Sequence, residues 1–438
     1  MLRNLTIRCL SLVAVMLLTC STVVYGQAQI DTKSWKIKGY NTVTASAIFA
    51  TISPDSRSGA LGDMGVALSP DVNSMHYNPA KFAFIGLKPG ADPEDEDSYV
   101  KDKFGIAMNY SPWMVQLSND INLFNVGAYY KINDKSAVAA SMTYFSLGEI
   151  EFTGDQGGSP YSMGIYHPNE FCVDATYSRK FSEKISGAVA GRFLYSNLTQ
   201  GVSVENRDTK AGTSVAADIS MYYIDPINLG QKTGTFSFGV NIANIGSKMS
   251  YYADKSDKEF VPTNLRLGPA LTINIDDYNN FTFAFEVTKY LIPTRPISGV
   301  RQNDSLTFSY GYVDNAEVLY GKNDNVSTIV GMFQSFYDAP GYTIDDAGQV
   351  HEIGRFREEL QEISLAAGVE YWYNNILALR AGYFFEHPRK GDRQYVTLGA
   401  GLRYNVFGID LSYLISTTNA NPLGNTLRFS LLLNFGNK

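Results

Sequence analysis

Thr426-Leu427-Arg428-Phe429-Ser430-Leu431-Leu432-Leu433-Asn434-Phe435 is the stretch that decides the fold. Successive side chains of an extended chain point to opposite faces. Leu427, Phe429, Leu431, Leu433 and Phe435 therefore share one face, and Thr426, Arg428, Ser430, Leu432 and Asn434 share the other. An apolar face backed by one that carries arginine and asparagine describes a strand with lipid outside and a polar lumen inside. Working back from the C-terminus, runs of this kind bounded by Gly, Asn, Asp or Pro are expected at 424–436, 407–418, 393–405, 376–388, 360–374, 280–292 and 263–275. Seven more fall at 234–246, 212–225, 184–200, 168–181, 135–152, 121–132 and 104–117. Fourteen is an even number, as single-chain bacterial barrels require. A soluble sandwich or propeller also uses many alternating strands. Soluble strands average about 5 to 6 residues, however, well short of these runs, and the 29 Tyr, 25 Phe and 38 Gly suit a membrane barrel.

The connections sort the same way. Turns are short at Asn133-Asp134, Ser182-Glu183, Asp276 to Asn279, Asn374-Asn375 and Asn405 to Phe407, with a longer one at 225–234. Between them lie long connections at 152–168, 200–212, 246–263 and 293–360. One end of an outer-membrane barrel carries tight periplasmic turns and the other carries long extracellular loops. Both ends of the barrel, residues 103–438, are thereby expected on the periplasmic side, with 293–360 as a long extracellular insertion. If Phe281, Phe283, Phe285 and Val287 face lipid, Glu286 faces the lumen. The same logic turns Asp174, Arg192, Asp218, Arg266, Glu370, Arg380, Glu386, Arg403, Asp410 and Arg428 inward. A lipid-facing arginine near the midplane costs about 2 to 4 kcal/mol. Six acids against five arginines predict an interior crossed by paired charges and partly filled, rather than a wide pore of one sign.

Residues 1–26 read as an export leader: Arg3 and Arg8 precede an apolar run from Cys9 to Leu18, and Val24 and Gly26 mark a cleavage point. Leu17-Leu18-Thr19-Cys20 loosely matches a lipoprotein box, but Thr before the Cys is poor for that signal. Loss of the leader would remove Cys9 and Cys20, so Cys172 is left without a disulfide partner and reads as a small buried residue. The 36 basic side chains would lose two, against 43 acidic, and that balance argues against nucleic-acid binding. His76, His167, His351 and His387 lack metal-ligand spacing. The acidic run Glu94 to Asp97 lacks the spacing of a calcium loop. No nucleophile elbow or phosphate loop occurs, so no catalytic, cofactor or metal site is expected.

Residues 27–102 precede the barrel. Ser53-Pro54-Asp55-Ser56-Arg57-Ser58-Gly59-Ala60-Leu61-Gly62-Asp63-Met64-Gly65-Val66-Ala67 leads into Tyr77-Asn78-Pro79-Ala80-Lys81-Phe82. This is too Gly-rich and compact for a regular strand. A lumen plug built on Asp55, Arg57, Gly59, Gly62, Asp63, Asn78 and Pro79 is expected. These two blocks, with Gly331-Met332-Phe333-Gln334-Ser335-Phe336-Tyr337-Asp338-Ala339-Pro340-Gly341 and Glu358-Glu359-Leu360-Gln361-Glu362-Ile363, resemble the PorV family of the type IX secretion system, a branch of the FadL-like barrels. The resemblance implies a non-enzymatic shuttle and anchor in the outer membrane. It would take secreted cargo bearing C-terminal signal domains from the type IX translocon to the PorU sortase, which attaches the cargo to lipopolysaccharide. The competing expectations are a FadL-like channel for fatty acids or other hydrophobic small molecules, and a lipid hydrolase for which no nucleophile and base are found.

Inside the insertion, Ile329, Phe333 and Phe336 recur at helical spacing, with Asn325 or Ser327 as caps, so Val326 to Tyr337 is expected to be a short amphipathic helix. Its apolar side, Val330, Phe333, Phe336 and Tyr337, is a candidate face for cargo or sortase, since recognition is usually built on loops carried by a rigid scaffold.

Overall fold

The computed structural model describes residues 41–436 except 101, 116–117, 157–158, 205, 303–304, 312–316, 346–347 and 419–423. The leader and the first part of the N-terminal extension lie outside the described residues. Fourteen strands close into an antiparallel barrel. They are β1 (Asp102–Pro112), β2 (Asn122–Asn133), β3 (Ser136–Ser146), β4 (Asn169–Lys180), β5 (Ile185–Asn197), β6 (Gly212–Leu229) and β7 (Lys232–Gly246). Then follow β8 (Asn264–Asn274), β9 (Asn279–Tyr290), β10 (Ile363–Tyr373), β11 (Leu377–Phe385), β12 (Gln394–Tyr404), β13 (Phe407–Ser416) and β14 (Leu427–Gly436). Each strand pairs with its sequence neighbour, and β14 returns to β1 with Phe435 opposite Phe104 and Phe429 opposite Tyr110, which removes both sheet edges.

The expected alternation is present strand by strand. In β14, Leu427, Phe429, Leu431 and Phe435 are exposed on the outside, while Arg428, Ser430 and Leu432 are buried. Tight turns fall at one end as expected, and Asn374 and Asn375 between β10 and β11 both take left-handed backbone, which asparagine tolerates. The longer turn expected at 225–234 is instead two residues, because β6 runs on to Leu229 and β7 begins at Lys232.

The differences lie beyond the rim. Residues 135–152 are not one strand: β3 stops at Ser146, and Ile150–Gln156 pairs with Ser159–Tyr166 in a separate hairpin. Gly148, at φ 75°, packs against Asp120 and breaks the run. The connection between β9 and β10 is structured, with a three-stranded sheet (Ile297–Gln302, Ser305–Tyr310, Glu317–Tyr320), a helix Thr328–Gln334, a small hairpin and a second helix Arg355–Gln361. The strand expected from 360 begins instead at Ile363, because Leu360 and Gln361 complete that second helix. The first helix is shorter than expected; Ser327 occupies its N-cap position without a side-chain cap bond. Among the described residues, no helix is long and apolar enough to cross a membrane.

Candidate functional site

The segment from Ala47 to Leu87 reaches inward-facing side chains all around the barrel, so it occupies the lumen. Ser56 N donates to Ser430 of β14 at 2.8 Å, and Gly62 N to Thr397 of β12 at 2.9 Å. Gly65 N and Val66 N donate to Glu286 of β9 at 2.8 and 2.9 Å. Ala80 N donates to Ser220 of β6 at 3.0 Å, Ala83 N to Ser178 of β4 at 3.1 Å, and Asn109 of β1 donates to Asn73 at 2.8 Å. Wall hydroxyls and carboxylates thus take up the polar backbone that a non-regular chain would otherwise leave unsatisfied in the interior.

The segment's residues have local reasons for their positions. Asp55 caps the turn Ser56–Gly59 by accepting from Ser58 N at 2.9 Å. Asn78 accepts from Ala80 N at 3.1 Å and donates to Val66 O and Met221 O at 2.9 and 3.0 Å, with Pro79 opening the following 3-10 turn. Gly59 sits where a Cβ would run into Arg428. Gly62, at φ 74°, brings its backbone so near β11 that a Cβ would lie 2.7 Å from Tyr383 O.

Buried ion pairs join segment and wall. Arg57 binds Glu370 through two bonds of 2.9 and 2.8 Å, Asp71 at 2.8 Å, and Ser69 at 3.0 and 2.6 Å. Glu370 also accepts from Arg380 at 2.6 Å, Arg380 donates to Asp410 at 2.7 Å, and Asp410 pairs with Arg403 at 2.6 Å. Asp63 pairs with Arg428 and accepts from Tyr395 at 2.5 Å. On the opposite wall Arg192 binds Asp174 and lies 3.2 Å from Asp218, while Arg266 lies 3.9 Å from Glu286. Glu386, just above β11, pairs with Arg393 at 2.7 Å. Charges named from the sequence as inward are thus placed in the lumen or at its mouth. Their partners in the segment were not legible, because alternation gives a face and not a register across the lumen. Cys172 is buried among them.

A second cluster lies at the extracellular rim and was missed. Lys289 stands in β9 at the lipid-facing parity of Phe285 and Val287, yet it is buried, because Glu362 at 2.6 Å and Glu359 at 3.3 Å cover it. Lys390 donates to Glu358 and Glu362 at 3.0 Å each, and Thr294 Oγ1 to Glu362 at 2.6 Å. Burial alone would raise the Glu362 carboxyl, but Lys390 and Lys289 hold it below the usual range. Burial lowers an ammonium, yet Glu362 and Glu358 hold Lys390 above its ordinary value. Asp338 accepts from Thr294 N at 3.1 Å, and burial, with Glu362 and Glu359 adding, pushes its carboxyl up to about 7. The signal for this cluster was Lys289 itself, a cation on the apolar face of a strand.

Above it the helix Thr328–Gln334 packs Gly331 against Pro293 and Phe260. Val330, Phe333, Phe336 and Tyr337 are all exposed, Phe333 at 69%, with Lys322 lying 3.8 Å over the Tyr337 ring. No group of His, Cys, Asp and Glu that could hold a metal ion occurs among the described residues.

A family model, "Type IX secretion system protein PorV", matches residues 36–297. The chain belongs to the PorV family. The match takes in the lumen segment and β1 through β9, which makes this PorV-family protein an outer-membrane β-barrel of the type IX secretion system. No curated protein matches. Among solved structures, the Pseudomonas putida toluene transporter TodX is similar at 12% identity over 86% of this chain and 95% of its own, with a TM-score of 0.43. The CymD monoaromatic hydrocarbon channel is similar at 11% identity over 90% and 100%, also at 0.43. A Pseudomonas aeruginosa FadL homologue is similar at 12% identity over 91% and 99%, at 0.38.

Proposed function

We propose that this PorV-family barrel is a shuttle and anchor, not an enzyme and not the conduit. It binds secreted cargo through C-terminal signal domains as the cargo leaves the type IX translocon, and hands it to the PorU sortase for attachment to lipopolysaccharide. One observation carries the reading: the lumen is occupied by the chain's own segment, held by buried ion pairs from Arg57 to Glu370 and from Asp63 to Arg428. A channel for hydrophobic small molecules needs a dry, movable path. Here, any path would have to part charges that are costly to leave unpaired in a low-dielectric interior. Binding is therefore assigned to the extracellular surface of the barrel, where long loops stand on a rigid wall.

Affinity purification from detergent-solubilised outer membrane tests this, together with deletion of the gene. The expected result is co-purification of PorU and signal-domain proteins, with those proteins stranded in the periplasm of the deletion strain and fatty-acid uptake unchanged. Loss of uptake with normal surface attachment of cargo would refute the proposal and favour the channel.

A further inference from the structure

The exposed aromatic side of the insertion has a position that bears on what covers it. Ile273 and Phe281 face each other on the outside of β8 and β9 near the periplasmic turn. A hydrocarbon band about 25 Å tall, crossed at a tilt of about 40° with a rise of about 3.3 Å per residue, takes roughly ten residues. Counted from that pair it ends near Thr263 and Leu291, which are joined by a backbone bond of 2.8 Å. The helix Thr328–Gln334 packs on Phe260 and Pro293, two to three residues higher on the same two chains. It also lies on the outer side of the wall. Val261 packs inward with Phe49 and Trp113, Phe260 is buried beneath the helix, and Lys289, whose ammonium is 5.9 Å from the Phe336 ring, leaves β9 on the lipid side. The second helix covers the same lysine through Glu359 and Glu362 and turns Phe356, 76% exposed, and Leu360 away from it, with Arg355 and Arg357 exposed on either side of Phe356.

We propose that this surface, made by Ile329, Val330, Phe333, Phe336, Phe356 and Leu360, is an interfacial anchor seated in the headgroup layer of the outer leaflet, with Arg355 and Arg357 contacting an anionic phosphorylated lipid. It stands above the lipid-facing residues Leu265, Val287 and Leu365, across the covered Lys289, at the depth where amphipathic helices lie in the interface plane. Aromatic rings beside arginines suit that layer, rings toward the acyl boundary and guanidinium groups toward phosphate. The buried lysine and glutamates beneath hold the two helices to the wall. This inference needs only the barrel in a bilayer and does not rest on the cargo reading.

The test uses the full-length mature chain in vesicles, with Cys172→Ala as background and an environment-sensitive fluorophore on Phe333→Cys, Phe356→Cys or, as a water-exposed control, Asn325→Cys. Folding of each variant is checked by heat-modifiable gel mobility. In vesicles containing lipid A, labels at 333 and 356 should be quenched by a lipid carrying a nitroxide near its headgroup and shielded from iodide, and the label at 325 should behave oppositely. Replacing Arg355 and Arg357 by Gln should reduce the shielding, and free inorganic phosphate should not compete. Iodide reaching 333 and 356 as freely as 325 would overturn the proposal and leave this face to a protein partner. Equal shielding in purely zwitterionic vesicles would overturn the anionic preference, and competition by inorganic phosphate would overturn the lipid as its source.

Discussion

Arg57→Met removes the residue that fastens the lumen segment to the wall while keeping most of its length. Five hydrogen bonds go with it, two to Glu370, one to Asp71 and two to Ser69. Glu370 is fully buried and keeps only Arg380, so one of its oxygens loses its donor. Asp71 is partly exposed and can turn to water, which limits its share. Removing one partner of a buried pair costs about 3 to 5 kcal/mol, chiefly because the remaining charge stays buried. That corresponds to about two to nearly four orders of magnitude in the unfolding constant. The assay is urea unfolding in lipid vesicles followed by tryptophan fluorescence, since Trp372 lies beside Arg380, with trypsin nicking after the otherwise buried Lys81 as a separate reading of segment release. Adding Glu370→Gln to Arg57→Met should recover part of the loss, because it removes the stranded charge. A loss below about 1 kcal/mol, within the range of an exposed pair, with Lys81 still protected, would refute the claim that this contact docks the segment.

Gly239→Ala places a Cβ against the carbonyl of Val66, a backbone contact that cannot give way by rotamer change; a cost of about 1 to 3 kcal/mol is expected in the same urea titration. Lys289→Met should loosen the insertion with little change in the barrel, seen as faster proteolysis between 293 and 360 at unchanged heat-modifiable mobility, because Glu359 loses its cation while Glu362 keeps Lys390. For Asp338, a carboxyl raised in the folded state binds more protons there than in the unfolded chain, so its contribution to docking the insertion weakens as pH rises from about 4 to about 7 and is constant above. Hydrogen exchange of residues 328–344 should show this slope, and Asp338→Asn should flatten it.

The wall of this barrel was legible because each strand repeats one local rule: Phe283 and Phe285 out, Thr282 and Glu286 in, with the turn residues at one end marking where each strand stops. The rule carries no information about what happens above the rim. Residues 150–152 continue the alternation of β3 and so read as the same strand, although they belong to a hairpin that pairs elsewhere. Leu360 and Gln361 were read into β10 because a seven-residue helix ending against a strand leaves too few residues to show its own period. In the lumen, the Gly-rich composition of 53–67 indicated a compact inward segment. That Arg57 meets Glu370, and Asp63 meets Arg428, depends on contacts across more than 300 residues of sequence, which no window can contain.

The segment that fills the barrel precedes β1 in the chain, and it is tied to the strand that comes last: Ser56 to Ser430, Asp63 to Arg428. The β1 to β14 seam and these ties therefore both depend on β14. A cylinder closed with the segment left outside would leave Arg428 without Asp63 in its interior. The strand that closes the cylinder is thus also one that grips its contents, and loosening either should loosen the other.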